Sequence, residues 1–201
     1  MHRILRAACL VCLFGRVVTG AQAQTPTQQH THAAMGPIVI PKGALYTEAD
    51  VRFMQGMIAH HAQAIYMSRL AAAHQAGGRL LRFAKKIDQS QIAEIVLMQE
   101  WLRANGQVAP DTESWRTMPM PGMLTAEQLA TLEAVNGAEF DRRFLTLMIQ
   151  HHQGALQMVA DLHAVPRAAQ DVDVSVLASD IQVVQTAEIG VMRQMLSDIQ
   201  P

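Results

Sequence analysis

Two pairs of adjacent histidines, His60-His61 and His151-His152, are the residues of this sequence best suited to chemistry, and each pair is flanked by methionines at helical spacing. At 100° per residue Met57, His60, His61, Ala64 and Met67 fall within an arc of about 120°, so two imidazoles and two thioethers project from one side around a small alanine. Met148, His151, His152, Ala155 and Met158 copy the arrangement. Imidazole and thioether together make a soft to borderline donor set, suited to Cu(I), Ag(I) and, through the histidines, Cu(II), rather than to Mg or Ca. Copper is the economical inference.

Methionine alone is a weak signal, because it is a flexible core filler and a helical Met stripe is ordinarily core. The histidine pairs are harder to explain as packing. Adjacent residues on a helix point about 100° apart, and a buried imidazole without a partner costs free energy. Glu94 and Glu188 lie in apolar stripes of other helical segments, with Gln91 and Gln185 one turn before them. Each carboxylate could accept a histidine ring N–H and fix its tautomer; an ion pair with Arg52 or Arg143 accounts for them nearly as well. Met98, Met192 and Met195 could supplement the donors, with core packing as their other role. Met118, Met120 and Met123 sit in a Met-Pro-Met-Pro-Gly-Met run that reads either as a soft-metal capture loop or as a hydrophobic loop docked on the fold. His30, His32 and Met35 form a further candidate capture segment, or an incidental cluster in a solvated leader.

The elements that must position these groups are written twice. At an offset of 91, Asp50, Arg52, Phe53, Met57, Ile58, His60, His61, Ala64 and Met67 match Asp141, Arg143, Phe144, Met148, Ile149, His151, His152, Ala155 and Met158, nine identities in eighteen positions. At an offset of 94, Ala84, Ile87, Gln91, Ala93, Glu94, Ile95, Met98 and Leu102 match Ala178, Ile181, Gln185, Ala187, Glu188, Ile189, Met192 and Leu196. Both segments step by three and four, which predicts four amphipathic helices. Thr47 is the N-cap of the first, Gly77-Gly78 breaks the first hairpin and Asn105-Gly106 closes the second helix. Thr125 with Gln128 forms a capping box, Asn136-Gly137 interrupts the helix it starts, and Pro166 ends the helix bearing the second histidine pair. Two such hairpins predict an all-α, ferritin-like four-helix bundle with a pseudo-twofold axis.

Residues 1–23 read as a signal peptide: Arg3 and Arg6 precede an apolar run from Ala7 to Phe14, and Ala21-Gln22-Ala23 is the cleavage site. Residues 24–46 follow as a flexible His-containing segment, 47–106 as the first hairpin, 107–124 as a Met/Pro-rich linker or crossover and 125–201 as the second hairpin, with 47–201 one domain. Cys9 and Cys12 leave with the signal, so the mature chain has no thiolate site and no disulfide. Losing Arg3, Arg6 and Arg16 leaves 13 Lys+Arg against 17 Asp+Glu. Such a chain lacks the basic footprint of a nucleic-acid binder. Its 50% hydrophobic and 16% charged residues argue against disorder. The expected location is periplasmic or secreted, with no membrane anchor after cleavage.

The pattern Asp-x-x-Phe-x-x-x-Met-Ile-x-His-His-x-x-Ala-x-x-Met, its copy, the Pro121-Gly122-Met123-Leu124 run between them and the Gln-x-x-Glu-Ile-x-x-Met elements resemble the domain of unknown function 305 family. The resemblance spans roughly Thr47 to Ile199. It implies a ferritin-like bundle, exported, and, through the CopM-type copper-binding members, a role in buffering, resisting or delivering copper or silver, with other envelope copper-handling proteins as partners. No enzyme is expected. A ferritin-like dimetal site needs Glu-x-x-His pairs, and no Glu here is followed by His at the third position. H-E-x-x-H is also lacking, and the C-x-x-C has no following His for covalent haem. The alternative is a metal-free helical interaction module of the cell envelope whose histidines are structural or pH-responsive.

Overall fold

Thr47 turns an extended lead-in into the first helix through a reciprocal cap, its hydroxyl accepting from the Asp50 amide while the Asp50 carboxylate accepts from the Thr47 amide at 2.6 Å. The computed structural model describes residues 37–199. These form α1 (Glu48–Ala73), α2 (Gly78–Ala104), α3 (Ala126–Glu133), α4 (Gly137–Ala164) and α5 (Val172–Ile199), with a 3-10 turn at Thr112–Arg116. The described residues contain no strand.

The four long helices make the bundle. α1 packs on α2 and α4, and α5 packs on α4 and α2. End-to-end contacts fix the directions: the Gly137 amide donates to the His74 carbonyl at 2.9 Å, Arg79 pairs with Asp198 at 2.5 Å, and Trp101 Nε1 donates to Asp171 at 3.0 Å. Neighbours therefore run antiparallel around the ring, and the chain from α2 to α4 must return along the whole bundle. That single long crossover is the ferritin-like connectivity.

The repeated aspartates tie the halves together. Asp50 accepts from the Ala169 amide at 2.6 Å in the turn between α4 and α5, and Asp141 accepts from the Gly77 amide at 3.0 Å in the turn between α1 and α2. Each repeat thus caps the other's hairpin. Loss of water around the Asp141 carboxyl raises its pKa, opposed by its bond to Gly77.

The break expected at Asn136-Gly137 separates a short helix after Thr125, α3, from the long helix that Asn136 opens at Gly137. One expectation changes. The first helix is not amphipathic: Gln55, Ile58, Ala59 and Ala62 are buried along with the His-Met stripe. The reason is the crossover, which lies on the face that a plain bundle would leave wet. Gln55 Nε2 donates to the Val108 carbonyl at 2.8 Å, and Trp115 packs on Tyr66 with ring centroids 5.2 Å apart. Further along, His74 Nδ1 donates to the Val135 carbonyl at 2.8 Å. A helix covered on every side reads as apolar all round.

Candidate metal centre

The histidine pairs meet where α1 passes α4, and all four rings are fully buried. His60 and His151 form the inner pair, with ring centroids 3.9 Å apart and planes tilted by 43°. His61 and His152 form the outer pair, each about one ring further out, at 6.4 Å and 6.2 Å from its neighbour. The two motifs therefore face each other across the bundle rather than sitting in separate hairpins.

Partners of the ring nitrogens separate the two pairs. His61 Nε2 lies 2.5 Å from Glu94 and His152 Nε2 lies 2.8 Å from Glu188. A carboxylate only accepts, so these Nε2 atoms carry protons and each ring turns its Nδ1 away from its carboxylate. Neither Nδ1 has a partner. His60 Nε2 donates to the Pro121 carbonyl at 3.1 Å, leaving its Nδ1 free in the same way. For His151 neither ring nitrogen makes a hydrogen bond of good geometry, a loose approach to the His60 backbone carbonyl aside. The Arg52 and Arg143 alternative is overturned, since those guanidiniums pair with Glu48 and Glu139 one turn away on their own helices.

Burial sets the charge state. Loss of water pushes the His60 pKa down to about 3, helped by His61 and His152 and opposed by the Pro121 hydrogen bond. The same loss of water, then the neighbouring His60, holds His151 well below the ordinary histidine range. Both inner rings are neutral at neutral pH, which is the form that ligates metal. Burial alone would raise Glu188, but the hydrogen bond and charge of His152, with Lys86 3.4 Å away, outweigh it and hold the carboxyl below its usual value.

Met57, Met67, Met148, Met98 and Met192 are fully buried, and Met158 and Met195 nearly so. Among the described residues no three His, Cys, Asp or Glu side chains converge on one point suited to an ion. Thioethers are therefore the groups left to complete a donor set around the imidazoles. Buried Gln91 and Gln185 have no hydrogen-bond partner for either amide atom. His30 and His32 lie outside the described residues.

The Met-Pro-Gly run is docked rather than extended: Met118, Met120 and Met123 are half-buried against the core. Gln63 clamps Leu124 with two hydrogen bonds, at 3.0 Å and 2.7 Å, and Gln150 reaches the Gly122 carbonyl at 3.4 Å. Gly122 has φ +76°, and a Cβ on Gly154 would lie 1.9 Å from the Pro121 carbonyl oxygen. Gly154→Ala is therefore expected to lift this run off α4 and destabilise the fold by about 1–3 kcal/mol; an unchanged urea midpoint would refute the contact. Sequence reasoning missed Gly154, Gln63 and Gly56. Gln63 aligns with Gly154 and Gly56 with Leu147 at the 91-residue offset, but nine of the eighteen aligned positions differ, so these mismatches gave no distinct signal.

A family profile described as Domain of unknown function (DUF305) matches residues 50–196. Similar solved structures include a DUF305 protein of Streptomyces coelicolor described as a candidate secreted protein, 27% identical, with 75% of this chain and 93% of that one covered and a TM-score of 0.67. CopM in the Cu(I)-bound form is 28% identical over 76% of this chain and 98% of that one, with a TM-score of 0.60. CopM in an Ag-bound form is 31% identical over 74% and 96%, with a TM-score of 0.54. No curated protein matches the sequence. No helix among the described residues is long and apolar enough to cross a membrane.

Proposed function

The chain belongs to the DUF305 family, and we propose that within it this protein is an exported binder of copper and silver ions, serving buffering, resistance or delivery outside the cytoplasm. The ion is cargo, and no catalytic step is assigned. One observation carries the reading: a fully buried imidazole, His151, has no hydrogen bond of good geometry at either ring nitrogen, and three more buried Nδ1 atoms around it have no partner. Leaving buried polar groups unpaired costs about 1–3 kcal/mol each. A metal ion is the ligand for which neutral, unpaired imidazole nitrogens beside thioethers are suited.

In this assignment His60 and His151 are the principal nitrogen donors, with Met57, Met67, Met148 and Met158 as the thioether set. Glu94 and Glu188 hold the outer rings of His61 and His152 in one tautomer, keeping their Nδ1 atoms available. The CopM structures with Cu(I) and Ag bound support the choice of ion. A metal-free interaction module fits less well, because histidines kept for packing are expected to be hydrogen-bonded.

The test is a titration of the chain from Gln24 onward with Cu(I) and Ag(I) against a competing chelator, with Zn(II) and Mg(II) alongside. Tight, saturable uptake of Cu(I) and Ag(I) at a fixed ratio is expected, with no uptake of Mg(II). Failure to compete with the chelator for either soft ion would overturn the proposal in favour of the interaction module.

A further inference from the structure

Where α2 ends and α5 begins, the seam between the two helices opens into a cavity of about 670 Å³, within the size range of small-molecule sites. Each wall is one helical stripe. On α5, Asp173, Val176, Leu177 and Asp180 line it at steps of three, one and three. Two apolar side chains therefore lie between two carboxylates about 10 Å apart along the helix axis. On α2, Leu97, Glu100, Trp101 and Ala104 line it with the same spacing. Leu97 and Val176 are more than half exposed. The Trp101 ring is fixed, its Nε1 donating to Asp171 at 3.0 Å and Tyr46 meeting it edge-on with ring centroids 5.1 Å apart.

No Lys or Arg lines this cavity. Asp171 is engaged as the cap of α5, accepting from the Trp101 indole and from the Asp173 and Val174 amides. The nearby cations are engaged elsewhere: Arg79 with Asp198, Lys86 with Glu188 and Arg103 with Gln99. Among the described residues none pairs with Glu100, Asp173 or Asp180. The repeat shows that this is not a general property of the seam. At the offset of 94, Asp173 matches Arg79, Asp180 matches Lys86 and Glu100 matches Gln194. The opposite end of α2 and α5 thus neutralises its charges within the chain, whereas this end aims three carboxylates around an apolar cleft, an arrangement that concentrates cations. The complementary guest is apolar along its length and positive at its ends.

We propose that this cavity binds a protonated aliphatic diamine or polyamine. Its methylene chain covers Leu97, Val176 and Leu177, its ammonium groups pair with Asp173 and Asp180, and Glu100 and the Trp101 ring complete a surround that favours positive charge. The site is separate from the imidazoles, since Trp101 lies seven residues, about 10 Å, past Glu94 on α2. It does not rest on the copper and silver assignment.

The experiment adds 1,8-diaminooctane to the ion-free protein and follows the Trp101 indole N–H signal by nitrogen-15 NMR, with Trp115→Phe to assign it. Matched controls are 1-aminooctane, 1,8-octanediol and octanedioate. The diamine is expected to move the signal saturably, and the diol and the dianion to leave it in place. Asp173→Asn with Asp180→Asn should weaken diamine binding about tenfold at unchanged helical content, and added salt should weaken it too. If the diol moves the signal as much as the diamine, the cavity is only an apolar dent. If 1-aminooctane binds as tightly as the diamine, the two carboxylates do not act as a pair. Either result overturns the proposal, as does a signal that millimolar diamine fails to move. The wild-type comparison decides the question even if the double variant does not fold.

Discussion

Replacing both inner histidines, His60→Ala with His151→Ala, is expected to lower Cu(I) and Ag(I) affinity by roughly 100-fold or more while the helical content and urea midpoint change little. Two opposing terms explain the mild structural cost. The truncations leave a cavity between α1 and α4, which destabilises. They also remove buried ring nitrogens that have no partner, three of the four atoms in this pair, which relieves an existing penalty. The outer pair should behave in the opposite way. His61→Ala with His152→Ala strips Glu94 and Glu188 of their ring partners, and Glu188 is almost wholly buried. Removing one partner of a buried pair costs about 3–5 kcal/mol, and here less than that in full, because Lys86 still faces Glu188 at 3.4 Å and Glu94 is partly exposed. Chelator-competed titration and urea unfolding on both double variants measure the two effects separately. Equal losses of affinity and equal losses of stability would show that the inner and outer rings do not have different roles.

That division of labour was only half legible in the sequence. The repeat at offsets of 91 and 94 fixes four long helices and puts each histidine pair on the first helix of its hairpin. Adjacency on a helix forces the two rings of a pair in different directions, so one inner and one outer ring follow from geometry. Which partner each ring meets depends on contacts far apart in the chain. Arg52 and Arg143 were credible partners for Glu94 and Glu188 by charge, but Glu48 and Glu139 are four residues from them on the same helix faces and win by proximity. The crossover was the least legible element. Its prolines and glycine announce irregular backbone, whereas its course over α1 is set by the side chains of Gln55 and Gln63 on α1 and by the missing side chain of Gly154 on α4. Those residues look like unremarkable helix positions until the loop lies on them. The same course explains why α1 lost the amphipathic pattern expected of it, since no outer face remains to be polar.

Acidifying the ion-free protein is expected to destabilise it from about pH 6.5 downward, starting above the range in which ordinary carboxylates titrate. His60 has a folded pKa of about 3, far below the roughly 6.5 of an exposed histidine. Above pH 6.5 neither state binds the proton and stability is at its full value. As pH falls below 6.5 the unfolded chain takes up a proton that the folded one refuses, so stability drops by about 1.4 kcal/mol per pH unit until the folded pKa is reached. By pH 4.5 His60 alone removes about 3 kcal/mol, and His151 acts in the same direction. Glu188, held below its usual value by His152 and Lys86, adds a further loss only at lower pH. Set against a total of roughly 5–15 kcal/mol for an ordinary domain, this is enough to bring the bundle near its midpoint. Urea unfolding of the ion-free chain at pH 7.5, 6.5, 5.5 and 4.5 measures the slope, and His60→Leu should flatten it by removing one titrating ring while keeping the volume filled. An ion bound at the inner rings makes their protonation costlier still, since protons and metal compete for the same lone pairs. The loaded protein should therefore hold its stability to lower pH and lose its ion in the same step in which it unfolds. A midpoint independent of pH between 6.5 and 4.5 would mean that the inner imidazoles are hydrated and free to charge, and the buried donor set would lose its physical basis.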